Sequence, residues 1–198
     1  MTNFSLSPIP LEGLLIRLEP LSFSHSEGLA EAGSDPALWQ YMLYGNLSLP
    51  GAMQDWVQDM LNRQATGADL PFAVLHKPSG RIAGATRYLD IRPKDRGLEI
   101  GGTWYAPEFQ RTGVNTECKY LLLRHAFETL GCIRVQFKTD ARNKHSIRGI
   151  ERIGAKREGI LRNHMLLPDG HKRDSLYFSI IDSEWPEIKA HLEDLLAR

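Results

Sequence analysis

Glu99-Ile100-Gly101-Gly102-Thr103-Trp104-Tyr105-Ala106-Pro107-Glu108-Phe109-Gln110-Arg111-Thr112-Gly113-Val114-Asn115-Thr116-Glu117 passes from a strand-like segment through a turn into the strongest helical pattern of the chain. Behind it Cys118, Leu121, Leu122, Ala126 and Leu130 recur at intervals of three and four, the period of a helix with one apolar face, and Gly131 supplies the stop. A strand-to-helix junction leaves backbone N–H groups unpaired at the positive end of the helix dipole, which suits a phosphate, and Gly113 lets the backbone approach a ligand closely. The GxxxxGK[ST] spacing of a P-loop and its lysine are absent, as is a GxGxxG turn, which disfavours ATP and NAD. On the turn alone, an ordinary helix start is the better account.

Working outward, Gly13 to Leu21 alternates as a first strand, Ser24 to Gly33 and Pro36 to Met42 read as two short helices, and Asp55 to Gln64 as a longer one. Pro71 to His76, Arg81 to Ile91 and Leu98 to Tyr105 form an antiparallel meander, punctuated by Pro78-Ser79-Gly80 and by Pro93 to Gly97. Downstream come a strand over Cys132 to Thr139, a helix over His145 to Ile153 closed by Gly154, and a hairpin. The hairpin joins Lys156 to Leu167 with His171 to Ile181 around Pro168-Asp169-Gly170, and Trp185, Ile188, Leu192, Leu195 and Leu196 mark a last amphipathic helix. The sum is a mixed α/β, or α+β, domain of about seven strands flanked by helices, and 198 residues fit a single domain over 1–198.

With 42% hydrophobic and 24% charged residues, the chain has the composition of a globular protein able to bury about 70% of its unfolded surface. Lys plus Arg equal Asp plus Glu at 24 each, so no net field favours nucleic acid or an anionic membrane. Apolar runs such as Tyr120-Leu121-Leu122-Leu123 fall far short of the roughly 20 residues of a membrane span. Met1 to Pro10 lacks the basic start and apolar stretch of a secretory leader, so the expected location is the cytoplasm. Cys118 and Cys132 read as reduced, buried packing residues, and the seven histidines show no metal-ligand spacing.

Gln110-Arg111-Thr112-Gly113-Val114-Asn115 resembles the Q/R-x-x-G-x-G/A acetyl-CoA motif of the GNAT N-acetyltransferases at its first and fourth positions and departs at the last, where Asn115 replaces a small residue. The element order resembles the GNAT acyl-CoA N-acyltransferase fold over nearly the whole chain. Leu15-Ile16-Arg17-Leu18-Glu19-Pro20-Leu21, Glu99-Ile100-Gly101 and Gly154-Ala155-Lys156-Arg157-Glu158-Gly159 resemble the branch that contains the ribosomal-protein N-terminal alanine acetyltransferases. The resemblance implies a mixed, mostly antiparallel sheet and acetyl-CoA as co-substrate, without a metal. It further implies that the backbone amides from Arg111 to Thr116 cradle the pyrophosphate. The Asn115 side chain either crowds the diphosphate or caps the helix. Gly101 and Gly102 inside a strand suit a bulge, which in the family opens a gap for the pantetheine arm. An amide near Trp104 or Tyr105 then polarises the thioester carbonyl, although Trp104 equally suits the core.

The acceptor amine must be neutral to attack. An α-amine is roughly a tenth neutral at pH 7, whereas a lysine side chain is neutral in about one molecule per few thousand. Glu99, eleven residues before Gln110, matches the family's catalytic or water-relaying glutamate and is the first candidate for the base; the alternative is a solvated carboxylate on the outer face. Asp174 is the second candidate and a substrate contact. The proton for the leaving thiolate comes in many members from a tyrosine in a pattern like NxxAxxLYxxxGF. In Asn143-Lys144-His145-Ser146-Ile147-Arg148-Gly149-Ile150 that position is Ile150, but Ser146 takes the alanine position, and the alanine-acetyltransferase branch implies a serine there. Asn143 is expected on the pantetheine; a helix cap and a first-turn serine are the structural alternatives. His145 reads as exposed.

Substrate contacts are expected from Trp39, Tyr41 and Tyr44 and from the hairpin around Arg162, Asn163, His164 and Arg173, although packing of a short helix on the sheet is the better account of Trp39. The acceptor is expected to be a protein N-terminus or a small-molecule amine, and the last helix or a strand edge would suit a homodimer. Asn115 and the missing tyrosine leave a CoA-binding sensor or adaptor as the alternative.

Overall fold

A computed structural model describes residues 4 and 6–197; Met1–Asn3 and Ser5, part of the stretch read for a leader, and Arg198 lie outside it. The strands are β1 (Leu11–Glu12), β2 (Ile16–Pro20), β3 (Leu70–His76), β4 (Arg81–Arg92), β5 (Gly97–Tyr105), β6 (Arg134–Asp140), β7 (Lys156–Leu166) and β8 (Lys172–Ile181). The helices are α1 (Ser26–Ala32), α2 (Ala52–Ala65), α3 (Gly113–Arg124), α4 (Lys144–Arg152) and α5 (Trp185–Leu196). One sheet holds all eight strands in the order β1-β2-β3-β4-β5-β6-β8-β7.

The expected count of about seven strands rises to eight because the first strand is interrupted. Gly13 N–H donates to the Ile16 carbonyl (2.9 Å), turning the chain so that Leu11–Glu12 folds back on β2 as a separate two-residue strand. The segment after Asp35 is a 3-10 turn, Pro36–Trp39, rather than a helix to Met42: Asp35 accepts from Ala37 N–H, and the turn ends at Gln40. α3 runs into a π-helical turn, His125–Thr129, before Gly131 (φ +66) ends it.

β3 to β5 form the expected antiparallel meander, and β2 extends it by pairing antiparallel with β3. β6 returns parallel to β5 because α3 crosses over between them, and β8 and β7 complete the sheet antiparallel. Alternation along the strands sorts the two faces. Tyr88, fully buried, donates its hydroxyl to the Leu122 carbonyl (2.6 Å), fixing α3 on one face, and α5 lies against α3 through Tyr120 and Glu193 (2.8 Å). Trp104 points to the other face, where its ring meets Trp39 at 5.0 Å and Trp56 of α2 at 6.3 Å. Burial of each such side chain contributes about 1.5–3 kcal/mol, so both faces of the sheet are held by apolar packing.

Candidate active site

β5 and β6 pair only at Gly97↔Arg134, Leu98↔Val135 and Glu99↔Gln136. Beyond that point β5 stays with β4 as far as Gly84↔Tyr105, and β6 stays with β8 as far as Asp140↔Ser175. The two strands diverge, and residues 100–105 and 137–140 face each other across a wedge with no ladder between them. Backbone groups along such edges need partners. A register slip between Ala85 and Arg87 leaves Gly102 and Thr103 opposite the single residue Thr86, so the bulge falls at Gly102–Thr103, one residue beyond the expected Gly101–Gly102. Gly102 has φ +58, and a Cβ there would collide with the Tyr44 hydroxyl, so both backbone shape and close approach call for glycine.

At the wide end of the wedge, β5 leads through the turn Pro107–Phe109 into α3. Gln110 Nε2 donates to the Tyr105 carbonyl (3.0 Å). Thr112 is the N-cap: its Oγ1 donates to the Phe109 carbonyl (2.7 Å) and accepts from Val114 N–H (3.3 Å). Arg111 adopts φ +59 between them. The side chains of Gln110 and Thr112 are therefore engaged in shaping the turn, Val114 and Thr116 are buried, and what the turn offers a ligand is backbone. Because Thr112 caps α3, the capping role considered for Asn115 falls away; Asn115 is half-buried in the first turn. A Cβ on Gly113 would stand 3.2 Å from Leu15 Cδ2, so a side chain there would make Leu15 of the β1–β2 turn give way by a few tenths of an ångström.

Two anchors of this helix were not legible beforehand. The Glu117 carboxylate accepts from the N–H groups of Leu14 (2.8 Å), Leu15 (2.8 Å) and Ile16 (2.6 Å), clamping the β1–β2 turn against the start of α3. Thr116 Oγ1 accepts from Arg152 Nη2 (2.8 Å), joining α3 to α4. The available signal was a glutamate sharing the apolar face with Val114 and Leu121, where a buried charge demands partners. Lys119 is also buried, donating to Thr103 Oγ1 (2.8 Å), and burial lowers its pKa.

Glu99 stands at the last β5–β6 pair, the apex of the wedge, and is 2% exposed. It accepts from Gln136 Nε2 (3.0 Å) and lies 3.3 Å from Lys138 Nζ, so the solvated outer-face reading is overturned. The same face carries Arg87 with Asp69 (3.2 Å) and Arg142 with Asp140 (2.8 Å); the Arg87 guanidinium lies over the Tyr44 ring and that of Arg142 over the Tyr41 ring. Tyr41 and Tyr44 thus reach this wall from the helical insertion. Trp39 does not: it is buried, donates to the Gly33 carbonyl (3.0 Å) and packs on Trp104, which corrects its assignment as a substrate contact. The Trp104 and Tyr105 side chains are likewise core, leaving their backbone at the wedge.

In α4, Asn143 is the N-cap, accepting from Ser146 N–H (3.0 Å). The Ser146 hydroxyl is half-buried and makes no hydrogen bond among the described residues, and Ile150 is buried in the core. His145 is exposed, as expected. Alternation places Asp174 on the opposite face from Arg173 and Ser175, where its Oδ1 accepts from Asn163 N–H (2.7 Å) at the β7 register slip; the structure does not bring it to Glu99. His164 bonds Ser175 Oγ (3.1 Å) and packs edge-on to Tyr177. Cys118 and Cys132 are free and buried, as read, and burial pushes Cys132 up to about 12. Among the described residues no cluster of three His, Cys, Asp or Glu is placed to hold a metal, and no helix is long and apolar enough to cross a membrane.

This chain resembles a GCN5-related N-acetyltransferase from Brucella melitensis with a TM-score of 0.90, at 30% identity over 96% of this chain and 86% of that one. A provisionally assigned acetyltransferase from T. thermophilus gives a TM-score of 0.88, at 36% identity over 97% of this chain and 99% of that one. YdaF of Bacillus subtilis (strain 168), provisionally named a ribosomal N-acetyltransferase, is 32% identical over 54% of this chain, and the match spans only 57% of YdaF. Residues 16–156 match the model of the acetyltransferase (GNAT) domain, and with most of its length accounted for in this way the chain belongs to the GNAT family and has its fold.

Proposed function

We propose that the chain, working as one domain over 1–198, moves an acetyl group from acetyl-CoA to a primary amine by direct attack in a ternary complex. The observation that carries this reading is the unpaired wedge that starts at Glu99↔Gln136 and widens toward the N-terminus of α3. The residues suit the group. The first turn of α3 has backbone N–H groups that no helical carbonyl can satisfy, which favours a diphosphate, and the open edges of β5 and β6 can pair with an amide-bearing arm. Acetyl-CoA, when bound, supplies the acetyl group as an activated thioester.

The chain's own groups do the rest. The β5 backbone near Trp104 and Tyr105 orients a carbonyl and donates to its oxygen. Glu99, fixed at the apex by Gln136 and Lys138, receives the acceptor's proton directly or through water. The Ser146 hydroxyl, without a hydrogen-bond partner among the described residues, donates a hydrogen bond to the departing sulfur and passes on to it a proton taken from solvent, so that the serine ends the step neutral. Because the carboxylate of Glu99 is already shared between two neighbours, an acceptor with an appreciable neutral fraction, of the α-amine type, fits better than a lysine side chain. YdaF's name, a ribosomal N-acetyltransferase, supports a protein acceptor, and protein N-termini and small-molecule amines together make up the panel of acceptors to be tried.

Acetyl transfer to that panel, read as CoA release, tests the proposal; release no faster than hydrolysis with every amine refutes it. Acetyl-CoA at 100 times its Kd should stabilise the fold by about 2.7 kcal/mol. The buried Ile150 in place of an acid favours a second reading, a CoA-binding sensor. Ser146→Ala separates the two: turnover falls with acetyl-CoA affinity retained if the chain is an enzyme, and nothing changes if it is a sensor.

A further inference from the structure

The wall on the acceptor side of the sheet carries its cations in pairs. Lys138 has Glu99, Arg142 has Asp140, Arg87 has Asp69, and Arg92 has Asp90 at 3.7 Å. Arg173 breaks the pattern. It is 6% exposed, its Nε is sealed from solvent without a hydrogen-bond partner, and among the described residues no carboxylate lies within ion-pair reach of it. It precedes Ser175 by two residues on the same face of β8, and Ser175 pairs with Asp140, so Arg173 sits where β6 ends and the wedge is widest. Asp140, Glu99 and Tyr177 are near enough to act on its charge, and burial, followed by the charges of Lys138 and Arg173, lowers the pKa of the neighbouring His164.

A buried guanidinium with no carboxylate in direct contact among the described residues is unfavourable for the chain alone, and an apolar side chain of similar length would be tolerated better. The fork of a guanidinium matches a carboxylate in shape and charge. A phosphate dianion fits poorly: every other cation of the wall is already neutralised, and Glu99 and Asp140 would repel it. We infer that Arg173 receives a carboxylate carried by the acceptor amine, so that the substrate class is an amine bearing one nearby carboxylate. This deepens the acetyltransferase reading and rests on it. The carboxylate is either the α-carboxyl of a free amino acid or the side chain of an acidic residue at the start of a peptide.

The test pairs each acid with its neutral counterpart: amino acids against their amides, and peptides beginning with Asp or Glu against the same peptides beginning with Asn or Gln. The expected result is a preference of about tenfold to a hundredfold in kcat/KM for the acid of one pair type, and that type names the source. Arg173→Met should be at least as stable as the parent, because the removed charge is unpaired, yet lose the preference mainly through KM, with Arg173→Lys restoring part of it. Equilibrium binding of the same acids and amides without acetyl-CoA gives a readout independent of turnover. Absence of acetyl transfer to every amine while the acids still bind through Arg173 would sink the acetyltransferase reading alone. Equal use and equal binding of acids and amides would overturn the role of Arg173, as would an Arg173→Met effect confined to the KM of acetyl-CoA.

Discussion

Replacing Glu117 by alanine removes one acceptor group from three backbone N–H donors at once. Hydrogen bonds to a charged acceptor contribute about 1.5–3 kcal/mol each when their loss leaves a buried donor unpaired. The three are not equivalent: Leu14 is exposed and Leu15 half-buried, so water replaces the carboxylate there, whereas Ile16 N–H, at 2.6 Å, belongs to a fully buried residue. One complete loss of about 2–3 kcal/mol and two partial losses of about 0.5 kcal/mol give about 3–4 kcal/mol. At about 2–4 °C per kcal/mol for a chain of this length, Glu117→Ala should melt about 10 °C lower. Glu117→Gln can keep an oxygen where Oε2 now accepts from Leu15 and Ile16, turning its NH2 toward Leu14, and should cost about half as much. Gly13→Ala reaches the same clamp from outside, since its Cβ would fall 2.6 Å from Glu117 Oε2. The two changes should therefore be less than additive in a double-mutant cycle. Urea unfolding with m-values checks all three variants, and the acetyl-CoA Kd should weaken because the clamped turn also supports Gly113. A Glu117→Ala loss below about 1 kcal/mol, or full additivity with Gly13→Ala, would refute the clamp.

Gly102→Ala should lower activity far more than stability: the left-handed backbone costs about 1–2 kcal/mol for a side chain, and the new Cβ must displace the Tyr44 hydroxyl from the bulge. Thermal melts alongside acetyl-transfer assays check the split. Burial lowers the pKa of His125, which is 6% exposed and bonded to the Tyr88 hydroxyl (3.3 Å). The unfolded chain therefore binds a proton at this position more readily than the folded one, so stability should fall as pH drops below about 6.5 and level off once the folded-state group titrates. In His125→Gln that portion of the pH dependence should flatten, as read by unfolding between pH 5 and 8.

The order of elements was readable because it rests on local periodicity: β3, β4, β5, α3, β6, α4, the β7–β8 hairpin and α5 fall close to their expected bounds. The misreadings are local competitions. A Gly13 turn splits the first strand, and Pro36 with an Asp35 cap favours a short 3-10 turn over a helix. The site divides along the same line. The bulge that begins at Gly102 was legible to within one residue because glycine marks backbone that other residues resist.

By itself, the sequence determined the strand and helix content, the family motif and the chemistry of its candidate residues, since propensity, capping and spacing act over a few neighbours. Tertiary structure alone decided which groups are paired. It placed Glu99 at the apex with Gln136 and Lys138, set Glu117 on three amides a hundred residues away, made Trp39 core, and left Arg173 Nε without a hydrogen-bond partner among the described residues. Burial and counter-charge are sums over segments remote in the chain, and no local pattern records them.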